Sequence, residues 1–116
     1  MTSAKTIYTG NAYLVRQEVR GWDATQNGFV LAFGLTLSVT FATQADGTGP
    51  IAGMTAVPMT ELLLFPGIYA ATMTGTVTAV LSGYVDTVIY QIVSGGPNNA
   101  LRVVTPLRVV TPRPAV

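Results

Sequence analysis

An all-β fold, an antiparallel β-sandwich with an extended C-terminal strand or arm, is the class this sequence predicts. Three observations carry it. Runs of alternating apolar and polar residues recur along the chain. Clusters of Gly, Pro and Asn break these runs at roughly ten-residue spacing. No segment shows a long helical period. The chain has 116 residues, one domain by length and enough to bury roughly 65% of its unfolded surface.

The clearest strand is "LTLSVTFAT", where Leu35, Leu37, Val39 and Phe41 fall on one side and Thr36, Ser38 and Thr40 on the other. That is the period of a strand with one buried face. "AYLVRQEV" puts Tyr13, Val15 and Val19 inward, and its expected partner is "GFVLAF", reached through the tight-turn pair Asn27-Gly28. "GIYAATMT" reads as a strand with Tyr69, Ala71 and Met73 on one face, and "TVIYQIV" as a central strand. Tyr69 and Tyr90 are expected to help fill the core. "ADGTGP", "FPG" and "SGGPNN" supply turns. "MTELLLF" and "TAVLSGYV" read as short helical crossovers. About seven strands at this spacing predict an Ig-like sandwich, with Tyr84 where such a fold carries a corner tyrosine.

Composition narrows the function classes. The chain has no cysteine and no histidine, so it lacks disulfides, thiolate ligands and the commonest general base. Its net charge is +1, too little to collect nucleic acid. Only 9% of residues are charged and 49% are hydrophobic, against ~25% charged on average. A membrane protein is one explanation, but the uncharged stretches 24–45 and 62–85 are broken by Gly, Thr, Ser, Asn or Pro. The opening "MTSAKTIYTG" lacks the apolar run of a signal peptide. The composition points instead to a domain packed against neighbours.

Catalysis finds no support. Glu18, Asp23, Asp46, Glu61 and Asp86 are scattered over different segments, whereas a glycosidase needs two facing carboxylates and a metal site several oxygen ligands. "DGTGP" lacks the alternating acids of a calcium loop, and "SGGPNN" lacks the lysine and helix of a phosphate loop. Trp22 and Tyr8 at loop edges read as capping aromatics before sugar-stacking ones. No catalytic, cofactor or metal residue is assigned, and the chain is expected to be non-enzymatic.

The C-terminus repeats a hexapeptide, "LRVVTPLRVVTP". Six is even, so in an extended chain both copies present the same faces. Leu101, Val103, Thr105, Leu107, Val109 and Thr111 line one side, and the arginines and prolines the other. Pro106 lacks an N–H, which argues against one long central strand. The expected division is a sandwich over 1–104 and a C-terminal extension over 105–116. In that extension Leu107, Arg108, Val109, Val110, Thr111 and Arg113 form an edge strand or an arm laid on an adjacent subunit. Salt bridges to a neighbour or solvated edge charges account for Arg102, Arg108 and Arg113.

The order of "YTGNAYLVRQEV", "LTLSVTFAT", "PGIYAATMT" and "VIYQIV" resembles small Ig-like structural proteins of tailed bacteriophages, of the neck, tail and baseplate accessory type. The resemblance covers residues 6–95 and implies a non-enzymatic virion component at the head–tail junction or tail. It implies many copies that contact each other and other virion proteins, without nucleic-acid readout or membrane. The alternatives are a capsid decoration or cement protein and, from a different class, a carbohydrate- or receptor-binding module.

Overall fold

The computed structural model describes residues 5–96 and 101–112, apart from the side chains of Trp22, Asp23 and Phe29. Nine strands are described: β1 (Lys5–Tyr8), β2 (Tyr13–Glu18), β3 (Arg20–Asp23), β4 (Gly28–Leu31), β5 (Leu37–Ala42), β6 (Val57–Glu61), β7 (Ile68–Met73), β8 (Val88–Gly95) and β9 (Leu101–Val110). A helical turn α1 (Gly75–Thr78) and a 3-10 helix (Ala79–Tyr84) link β7 to β8.

Seven strands form one sheet in the order β1-β9-β8-β5-β6-β7-β2, and β3 pairs with β4 apart from it. The all-β class therefore holds. The sheet is mixed, because β1 runs parallel to β9, and it bends nearly into a barrel. Its two outer strands, β1 and β2, are consecutive in the chain. β6 makes the bend: Val57 and Met59 pair with β5, while Thr60 and Glu61 pair with β7.

Alternation fills the interior. Leu37, Val39 and Phe41 of β5 are buried, as are Tyr69, Ala71 and Met73 of β7 and Val15 of β2. Leu35 precedes β5 and is only partly buried against this core. Tyr90 is half-buried, because its neighbours Ile89 and Gln91 take the inward positions of β8. Gln91 is a buried polar side chain satisfied by the Tyr13 hydroxyl, which donates to its Oε1 at 3.2 Å. That bond ties β2 to β8 inside the barrel, and burial raises the Tyr13 pKa above its usual value. Tyr69 is also fully buried; its hydroxyl donates to the Ala32 carbonyl at 2.8 Å and accepts from the Leu35 N–H at 3.1 Å. An aromatic deep in the core thus fixes the 32–35 loop.

Two local expectations are corrected, and a third holds. β2 pairs with β7 throughout, and it is Arg20–Asp23 that forms a hairpin with Gly28–Leu31. The turn between them does use Asn27, at φ 52°, as the Asn-Gly pair predicts. Val19 is the switch, donating to the Gly67 carbonyl on one side and accepting from the Ala32 N–H on the other. "MTELLLF" is no helix; it is strand β6 followed by an exposed loop. "TAVLSGYV" does contain the helical link, in which Tyr84 is partly buried against the core.

The largest correction concerns the doubled hexapeptide. β9 is one strand of 10 residues, paired with β8 from Leu101 to Arg108. It crosses the boundary expected at residue 105. Its second copy also pairs with β1, from Lys5↔Leu107 to Tyr8↔Val110. Leu107 and Val109 are buried in this chain's own core, so they form no arm. Pro106 is tolerated for a geometric reason. The Val109 N–H points to Thr87 ahead of β8, and the Val110 carbonyl accepts from Thr9 after β1. Odd residues of β9 therefore bond toward β8 and even residues toward β1. The missing N–H of Pro106 lies on the β1 side, so no bond to β8 is lost.

Candidate functional site

Strand directions sort the loops into two ends. One end holds the β3–β4 hairpin, the 32–36 loop, the 62–67 loop, the end of β8 and the start of β9. The other, the helical end, holds the 9–12 turn, the 43–56 loop, α1 and the 3-10 helix. The buried side chains of Ile51, Met54 and Leu81 come from helical-end segments and pack on the core there. At the β6–β7 end, Val19, Arg20, Gly21, Ala32, Leu35, Gly96 and Leu101 line a cleft of about 320 Å³.

The described carboxylates serve local structure. Glu18 pairs with Arg20 at 2.5 Å. Asp46 accepts from the Thr48 hydroxyl and N–H at 2.7 and 2.9 Å, and those two bonds lower its pKa. Asp86 lies 3.9 Å from Arg108. Glu61 accepts from the Gly34 N–H with one oxygen and the Gly67 N–H with the other, both at 2.9 Å. One carboxylate therefore clamps the 32–36 and 62–67 loops together. Gly67 (φ +88°) is required there, since a side chain would meet Leu31 at 2.8 Å. Among the described residues no three acids gather as a metal site, and no helix is long and apolar enough to cross a membrane.

The distinctive surface is apolar. Past the Glu61 clamp, Leu63 is 96% exposed, Leu64 86%, Phe65 57% and Phe33 62%. The loop also shelters a concavity of about 510 Å³ running from Thr60 to Phe65. Toward the helical end, Tyr8, Leu14, Val80 and Val88 are exposed as well. Large apolar side chains at the surface thus gather toward both ends of the barrel.

The residues expected to form an arm lie elsewhere. Leu107 and Val109 are core, Val110 is half-buried beside β1, Arg108 and Thr111 are exposed, and Arg113 lies outside the described residues. Tyr8 is exposed at the end of β1, while the Trp22 side chain lies outside the described residues. Sequence reasoning missed the β6–β7 tip because "LLLF" resembled a crossover. The available signal was its lack of alternation: on a strand or turn, four consecutive apolar residues cannot all point inward. Comparison with protein-family models, with characterised proteins and with solved structures gives no match for this chain.

Proposed function

We propose that this chain is a non-enzymatic structural subunit of a tailed-phage particle, used in multiple copies at the head–tail junction or tail. The observation that carries the assembly part is the placement of exposed apolar side chains toward opposite ends of the barrel. A small domain that worked alone would aggregate through such patches, whereas a subunit flanked by neighbours buries them. The sparse charge, 9% of residues, fits the same reading, because a surface covered by partners needs few charges for solubility. Engagement of the described acids in turns and loop clamps agrees with a non-catalytic role. The virion assignment rests on the resemblance of strand order and motifs. A sugar-binding role is the weaker reading, since the two clefts are lined largely by apolar side chains and lack converging polar groups.

Peptide mapping of purified particles tests the proposal. Trypsin leaves residues 21–102 as one fragment, because no Lys or Arg lies between Arg20 and Arg102, so a protease cutting after aromatics is used. Peptides of this chain are expected at many copies per particle. Their absence from particles made by cells that express the chain overturns the reading.

A further inference from the structure

The exposed apolar tip and the cleft stand at the same end of the barrel. We infer that two copies of this chain join at that end, the Leu63–Phe65 tip of each seating in the Val19/Ala32/Leu35/Leu101 cleft of the other. This deepens the assembly reading, rests on it, and names one of the contacts. When knob and hole lie on one face, a two-fold axis satisfies both at once, giving a closed, isologous contact.

Area and charge support it. Taking roughly 200 Å² for a fully exposed large side chain, Phe33, Leu63, Leu64 and Phe65 offer about 600 Å² per copy. The pair then buries ~1,200 Å², the lower end of the range for a stable specific interface. Glu61 sits beneath the tip with both oxygens taken by the Gly34 and Gly67 amides, so docking strands no carboxylate. The same clamp holds the tip in shape before contact, which lowers the ordering cost of association. A lipid surface is the other occupant an apolar loop meets, yet such loops draw on free basic residues around them. Here Arg20 is paired with Glu18 and Arg102 with the Ala45 carbonyl, which leaves, among the described residues, Arg16 on β2 as a single exposed arginine toward that end.

Sedimentation velocity of the full chain over a concentration series is the first measurement. A monomer–dimer equilibrium is expected for the wild type, and a monomer with unchanged melting for Leu63→Asp/Leu64→Asp. Because the chain contains no cysteine, single replacements then report the geometry. Leu64→Cys mixed with Gly21→Cys should cross-link on oxidation more efficiently than either alone; a β-carbon at Gly21 meets nothing within 4 Å. A wild type monomeric throughout overturns the inference. So does a dimer that survives the double aspartate change, or cross-linking by Leu64→Cys alone. Binding of the monomer to phosphatidylserine vesicles, lost in the double variant, overturns it in favour of lipid. If the chain is found in particles but stays monomeric by these measures, the dimer fails and the assembly reading stands.

Discussion

Leu101 and Leu107 hold the same place in two identical hexapeptides, and so do Val103 and Val109. Their surroundings differ. Leu107 and Val109 are fully buried, whereas Leu101 and Val103 are partly exposed at the margin of the core. Both copies pair with β8; among the described residues the second is also flanked by β1, which brings Ile7 against it. Among the described residues, the same side chains are core where β1 flanks the strand and rim where no described strand does. Burial here is a property of topology, and the repeat displays it with composition held constant.

Truncation gives the largest expected effect. Removing residues 107–116 takes away Leu107 and Val109, each worth about 1.5–3 kcal/mol of burial, and leaves β1 without the strand it pairs with. Against a total of roughly 5–15 kcal/mol, that chain is expected not to fold, as read by loss of a cooperative thermal transition. A folded truncated chain would return the second copy to the role of a dispensable arm. Single substitutions scale the contrast. Leu107→Ala should cost about 2–5 kcal/mol by urea denaturation, and Leu101→Ala under ~2. Equal costs would mean that β1 does not protect the second copy.

The prolines sharpen the same point at the level of single bonds. Pro106 is an even residue of β9 and turns its missing N–H away from β8. Pro106→Val should therefore change stability by less than about 1 kcal/mol. Thr105→Pro moves the defect by one residue, onto the side facing Gln91 of β8, and should cost about 2–3 kcal/mol. Were the two changes alike, the bonding parity assigned to β9 would be wrong.

Local pattern made part of this legible. The alternation of Leu37, Val39 and Phe41 specifies a half-buried strand, Asn27-Gly28 specifies a turn, and the even repeat specifies that both hexapeptides share faces. Each signal lies within a few residues. What covers the second copy does not, because β1 precedes it by about a hundred residues and parallel pairing leaves no turn signal. The same holds for the Gln91–Tyr13 bond. The tip was hidden for another reason: the run Leu62–Phe65 satisfies strand, helix and loop readings until Glu61 is seen to clamp its base.

The arginines carry the smallest difference. Arg108 meets Asp86 at 3.9 Å, with both side chains largely exposed, a pair worth at most about 0.5 kcal/mol and screened by salt. Arg102 donates to the Ala45 carbonyl at 2.9 Å and lies beside Gly47, so it pins the 43–50 loop across the outer face. Arg102→Ala should cost about 1 kcal/mol and keep that cost in high salt, unlike Arg108→Ala. Acid probes the same loop. Asp46 has its pKa lowered, first by the Thr48 hydroxyl, then by the Thr48 N–H, with a smaller contribution from Arg102. A depressed pKa contributes stability present above the unfolded-state value near 3.8 and lost as pH falls through the folded-state value. Hydrogen exchange at Thr48 should therefore lose its protection below that range, while amides of the second copy stay protected. Simultaneous loss in both places would show that the loop over the first copy and the core around the second open as one unit.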